Sequence, residues 1–155
     1  MSVDQLQKLF EVNQYAFQVN VAGVSDDESL IQPPSGGNCL NWVAGHVVAT
    51  RNLILDLLGE APIWDASVAD TYKRGSAPIL DASRARPFHA IVEDFGRAQE
   101  RIRAGLARLE DKDLAGRRGE DTLGASLHFA HFHEAYHIGQ TALLRRLAGK
   151  PGAIR

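Results

Sequence analysis

The residues His133-Glu134-Ala135-Tyr136-His137 hold the first chemistry legible in this chain. Imidazoles four residues apart stand one above the other on a helix and can grip one metal ion, with the glutamate beside them as a base. Zinc proteases with this pattern take a third ligand downstream of it, yet Ile138 to Arg155 contains no His, Asp, Glu or Cys. The third ligand must lie upstream, and His46 is the candidate. A protease also needs a way to hold an extended peptide, commonly an edge strand, and no convincing strand is visible. A di-iron carboxylate site fails on count. It requires two E-x-x-H units and two further glutamates, and the face around His46 carries no carboxylate.

Four stretches with a 3.6-residue apolar period must position these residues. The first helix is predicted from about Val3 to Val21, with Leu6, Phe10, Phe17 and Val21 as its stripe, before Ser25-Asp26-Asp27 and Pro33-Pro34 break the pattern. The second runs from about Cys39 to Leu58, with Asn38 as N-cap and Gly59 after its end; its stripe is Trp42, Val43, Thr50, Leu53, Ile54 and Leu57. The third opens at Pro87 and reaches about Leu109 through Phe88, Ile91, Phe95, Ile102 and Leu106. The fourth spans about Leu123 to Ala148, with Leu123, Leu127, Ala130, Thr141 and Leu144 inward. The pattern predicts an all-α, four-helix bundle in one domain, residues 1–155. Between the second and third helices, Glu60 to Arg86 is too long for a plain loop, and its Trp64 and Tyr72 argue that it packs over something, such as a pocket mouth.

Helical phase sorts the six histidines. His137 and His133 deviate from the fourth stripe by roughly 20° and 60°, whereas His131 and His128 fall roughly 100° and 160° away. His46 is nearly central on its stripe, and His89 lies roughly 120° off its own. Three imidazoles from two helices thus converge, while His89, His128 and His131 are expected at the surface. Three buried imidazoles without a metal would need several separate partners, whereas one divalent ion satisfies them together.

Bulk properties exclude other classes. A 45% hydrophobic fraction, 23% charged residues and a formal net charge of −2 leave no basic stripe for nucleic acid and no polybasic run for a membrane surface. The N-terminus has no signal-peptide pattern and no long apolar run occurs, so a cytoplasmic location is expected. Cys39, the single cysteine, forms no intramolecular disulfide and stands two turns before His46, too far to ligate with it.

Asn41-Trp42-Val43-Ala44-Gly45-His46, followed on a later helix by His133-Glu134-Ala135-Tyr136-His137-Ile138-Gly139-Gln140, resembles the DinB/YfiT-like superfamily of metalloenzymes, and the resemblance covers nearly the whole chain. It implies a bundle in which a long crossover makes the second and third helices parallel, a three-histidine site for Zn²⁺ or Ni²⁺, and, commonly, a homodimer. It also implies thiol-dependent chemistry with a low-molecular-weight thiol as cosubstrate, as in the S-transferases and an isomerase of that superfamily. Glu60 to Arg86 suffices for the crossover, since a bundle about 30 Å tall needs only about nine or ten extended residues.

Around the three ligands, four residues are candidate pocket or supporting groups. Asn13 falls inside the first stripe, where it lines the cavity or meets a core partner. Trp42, one turn before His46, packs in the core or stacks on substrate. Glu134 acts as a base or ligates nothing and reaches solvent. Gln140 supports His137 or stands exposed. No catalytic residue is assigned. The open coordination position left by three neutral ligands favours a small-molecule enzyme, a thiol-dependent S-transferase or isomerase. A metal-dependent hydrolase and a stress-linked metal-binding protein without turnover remain the alternatives.

Overall fold

A computed structural model describes residues 1–154. Four long helices dominate it, α1 (Val3–Val21), α3 (Leu40–Leu57), α5 (Phe88–Leu106) and α6 (Leu123–Leu147), with short helices α2 (Asp26–Ser29) and α4 (Ala66–Thr71) in the connections. Starts are set by caps. Ser2 and Gln5 close a reciprocal capping box on α1, and Ser25 and Glu28 do the same for α2, within the segment read as a pattern break. Asn38 does not cap α3. Cys39 holds the N-cap position without a side-chain bond, and the four residues that follow it, Leu40 to Val43, are all buried. A 3₁₀ turn, Asp111–Ala115, and a two-residue hairpin pairing Arg117–Arg118 with Asp121–Thr122 bridge α5 to α6. That strand pair lies below the length at which alternation is legible.

The four long helices pack in the cyclic order α1, α5, α3, α6. Directions follow from which residues meet. Asn41 bonds the carbonyl of Arg86, Arg51 that of Phe95, and Arg108 that of Leu58, so α3 and α5 run parallel. Asn13 meets Glu134 and Asn20 meets Thr141, so α1 and α6 are parallel too, while Arg51 with Glu134 and His46 with His137 set α3 against α6. The bundle is all-α with the expected long crossover between α3 and α5.

The crossover is not a lid. Trp64 and Tyr72 are buried rather than capping a pocket mouth. The Trp64 indole donates to Asp94 Oδ2 at 2.6 Å, and Asn52 on α3 accepts from the backbone of Ile63 and donates to the Trp64 carbonyl. This cover explains why α3 is buried almost all round its first three turns. It also explains an error of phase, since the stripe through Trp42, Thr50 and Leu53 is one flank of α3 and not its centre; Leu53 is exposed. The centre runs through Val47, Arg51 and Ile54.

Arg51 is wholly buried. Its Nε and Nη2 donate to Glu134 Oε2 and Oε1 at 2.7 and 2.9 Å, its Nη1 donates to the Phe95 carbonyl at 3.0 Å, and its guanidinium stacks over the Phe95 ring. Asn13 Nδ2 donates to Glu134 Oε1 at 3.1 Å. One charge pair therefore joins α1, α3, α5 and α6. Removing one partner from such a pair leaves the other charge buried alone, at a cost of about 3–5 kcal/mol. Glu134→Gln is expected to lose stability of that order in urea unfolding, and Arg51→Met combined with Glu134→Leu to recover a large part of it. A loss under about 1 kcal/mol for Glu134→Gln would show that the pair does not hold the helices.

Candidate metal centre

The beginning of α3 is built to receive the crossover. Gly45 is closed to any side chain: a Cβ there would fall 2.2 Å from Cδ1 of Tyr72. The Tyr72 ring lies directly on that bare backbone, and its hydroxyl donates to Asn41 Oδ1 at 3.1 Å while accepting the Arg86 amide at 2.8 Å. Trp42 donates its indole N–H to Ser76 Oγ at 2.9 Å. Asn41, Trp42 and Gly45 thus share one task, to seat residues 72–86 against the helix.

That seating reaches His46. The carbonyl of Tyr72 lies 2.7 Å from His46 Nδ1; a carbonyl only accepts, so Nδ1 carries the proton and Nε2 keeps its lone pair. Trp42 stacks on the same imidazole, 4.9 Å between centroids at 11°, fixing the ring plane. On α6, His137 Nδ1 lies 2.8 Å from Gln140 Oε1, which assigns His137 the same tautomer. Gln140 is therefore the orienting partner of His137 and not a free surface amide.

His46, His133 and His137 offer ligand nitrogens that all lie within 4.8 Å of one another. Nε2 of His133 and Nε2 of His137 are 3.2 Å apart. Two imidazole nitrogens bound at about 2.05 Å to one tetrahedral ion stand about 3.3 Å apart, so the pair already has the spacing of a shared ion. Burial lowers the pKa of all three. His46 is held at about 4 by burial, against the Tyr72 carbonyl bond and with the other two imidazoles adding to the shift; His133 is lowered by burial and then by His137; His137 is lowered by burial against the Gln140 bond. Near neutral pH all three are uncharged, the form that ligates a metal. Among the described residues they are the only His, Cys, Asp or Glu cluster of this geometry, and no fourth such side chain joins them.

The remaining candidates sort differently. Glu134 does not reach solvent and is no free base, because Arg51 and Asn13 occupy both its oxygens. Asn13 accordingly lines no cavity at the triad. Trp42 is buried, its ring on His46. His89 and His128 are exposed, as expected, but His131 is half-buried, edge-on to Phe10 at 5.6 Å, with burial lowering its pKa. Cys39 is buried, its thiol on the Ile79 carbonyl. Arg51 escaped notice, although it sits among Val47, Ile54 and Leu58 at helical spacing; a lone charge at the centre of an apolar stripe was the available signal.

Because α3 and α6 are antiparallel, the groove between them continues past the triad in both directions. Toward the start of α6 a cavity of about 370 Å³ is bordered by His46 and His133, and toward its end one of about 550 Å³ is bordered by Trp42, His137 and Gln140.

The sequence profile of the DinB superfamily matches residues 9–141, a span that takes in all three histidines. No curated protein matches the chain.

Gly45→Ala tests the seating of the crossover. Overpacking of this kind costs about 1–3 kcal/mol, and lifting Tyr72 releases the Nδ1 bond of His46, so the variant is expected to lose stability of that size and at least tenfold in affinity for zinc. Wild-type affinity in a destabilised Gly45→Ala protein would separate the carbonyl of Tyr72 from the site.

Proposed function

This chain belongs to the DinB superfamily, and from that premise we propose that it is a metal-dependent enzyme in which His46, His133 and His137 hold one Zn²⁺ or Ni²⁺ ion and a low-molecular-weight thiol reacts with a small-molecule substrate. The observation that carries the metal reading is the set of fixed tautomers. Tyr72 and Gln140 each occupy an Nδ1 proton, leaving Nε2 of His46 and His137 bare at a spot where Nε2 of His133 is also close. A divalent ion held by three neutral imidazoles keeps an open position and supplies Lewis acidity, which favours the thiolate of an incoming thiol at neutral pH.

The chain's own residues do the rest. His46, His133 and His137 stay neutral through burial, Trp42 keeps the His46 ring from turning, and the buried Arg51–Glu134 pair holds α6 at the rotation that presents His133 and His137 to α3. Two cavities meet the triad from opposite ends of one groove. That arrangement suits a reaction between two molecules, a transferase or a thiol-assisted isomerase, better than a hydrolase, whose second reactant is water.

Metal analysis is expected to find about one divalent ion per chain, lost in His46→Ala and retained in His89→Ala. Zinc at a free concentration about a hundred times its dissociation constant should stabilise the fold by roughly 2.7 kcal/mol. In the Co²⁺-substituted protein, the right thiol should add a sulfur-to-metal charge-transfer band, absent in His133→Ala and His137→Ala. Full occupancy in His46→Ala would overturn the three-histidine site. If no thiol perturbs cobalt while an ester is cleaved in a metal-dependent way, the hydrolase takes its place.

We further propose a homodimer through α6. From Leu123 to Leu144 this helix holds one charged residue, Glu134, and it is buried. Its outer face shows Phe132, Tyr136 and Leu143, and the adjacent α1 adds Val12 and Tyr15, all exposed. At about 100 Å² each these side chains present roughly 500 Å² of apolar surface, over half of the about 800 Å² that each partner gives to a standard interface. Light scattering is expected to give twice the chain mass, falling to the monomer in Val12→Lys combined with Phe132→Lys. A monomeric wild-type protein at micromolar concentration ends the dimer proposal.

A further inference from the structure

The cavity bordered by His46 and His133 has an uneven lining. Ala49, Leu53, Phe129 and Ala130 make an apolar wall, and Leu53 and Phe129 are 66% and 67% exposed, two large hydrophobic side chains left facing the opening. The opposite wall comes from the crossover: Ala69, Asp70, Lys73 and Arg74. Asp70 is paired with Lys73 at 3.1 Å, so the charge left over is a cation. Arg74 has no hydrogen-bond or ion-pair partner among the described residues. Thr50, the remaining polar side chain of the wall, spends its hydroxyl proton on its own helix, at the carbonyls of His46 and Val47.

We propose that this cavity is the substrate subsite and that its occupant is an amphipathic carboxylate: an apolar body against Leu53 and Phe129, its anionic group at Arg74, and its far end at His46 and His133. The assignment deepens the functional reading above and rests on it for the word substrate. Volume, lining and charge agree. About 370 Å³ lies within the range of small-molecule pockets, which are mostly apolar with a few polar groups that fix orientation. A planar guanidinium with free donors matches a carboxylate in a two-pronged contact that an ammonium or an amide cannot reproduce. A neutral molecule would gain the apolar contacts only, and a cationic one would meet Arg74 with like charge. The other cavity lacks this pattern: its lining, from Pro33 to Asn38 and along α6, contains no Lys or Arg.

The test is a titration of the ¹⁵N-labelled full chain, zinc-loaded and metal-free, with 4-phenylbutyrate, 4-phenylbutanamide and 4-phenylbutylamine. The carboxylate is expected to bind at least fivefold tighter than the amide and the amine weakest of the three, with amide shifts centred on Leu53, Ala69, Phe129 and Ala130. Selectivity should persist in the metal-free protein, which separates the cationic rim from direct ligation of a carboxylate to zinc. Arg74→Gln should bring carboxylate and amide affinities together without changing that of the amide, and Phe129→Ser should weaken both. Equal affinities in the wild-type protein, selectivity that survives Arg74→Gln, or shifts centred on Pro33 to Asn38 would each overturn the assignment. If the triad binds no metal yet charge selectivity at Arg74 persists, the metal reading fails and the subsite stands.

Discussion

The pairing of Arg51 with Glu134 is the constraint on which the rest depends. Two full charges are removed from water at the middle of a bundle, and each is accepted only because both carboxylate oxygens and all three guanidinium nitrogens find a partner, from Asn13 on α1, Phe95 on α5 and each other. A hydrophobic contact tolerates a helix rotated by some tens of degrees; a two-pronged ion pair does not. With Glu134 turned to the centre of the bundle, His133 and His137 fall on the flank that faces α3, and with Arg51 turned inward, His46 falls on the matching flank. The electrostatics of the core thereby set the direction of groups that belong to the groove.

Rotation alone leaves the imidazoles free to spin about their side-chain bonds, and here the crossover completes the arrangement. Residues of one short sequence, Asn41 to His46, each do something different to the same segment. Asn41 and Trp42 hold it by hydrogen bonds, Gly45 gives it room, and His46 takes its carbonyl. The segment's buried residues, Tyr72 above all, serve geometry, while its exposed neighbours Lys73 and Arg74 face a cavity. Structural and recognition roles therefore alternate along a few residues of one irregular stretch.

Much of this is legible in the sequence. The stripe of α1, Leu6, Phe10, Phe17 and Val21, is buried throughout, because α1 meets the bundle on one face, the case that periodicity describes. The convergence of His46, His133 and His137 followed from the same reasoning. It failed where a helix is covered twice. The crossover encloses α3 on the side away from the bundle, so apolar residues occur all round its first turns, and the mean direction of such a set points nowhere in particular; Leu53 was misplaced for that reason. Glu134 reads from the sequence as a base or as a side chain that reaches solvent, and the structure shows neither, because both its oxygens are taken by buried partners. Its partner lies 83 residues away, and no local pattern relates the two.

The order of the ligands along the chain has a consequence for when the site can exist. His133 and His137 are neighbours on one turn of α6, a two-toothed chelator that needs nothing beyond local helix, whereas His46 belongs to a helix made long before. During synthesis the early helices emerge with a single imidazole of the triad among them, a weak and unselective binder. The strong pair arrives only with the last helix, which can close the bundle as soon as it is free to dock. A chain interrupted before α6 carries no chelating pair at all. On the proposed metal reading, selectivity is thus exercised by a nearly finished protein, whose packed core has already fixed the spacing of the three imidazoles.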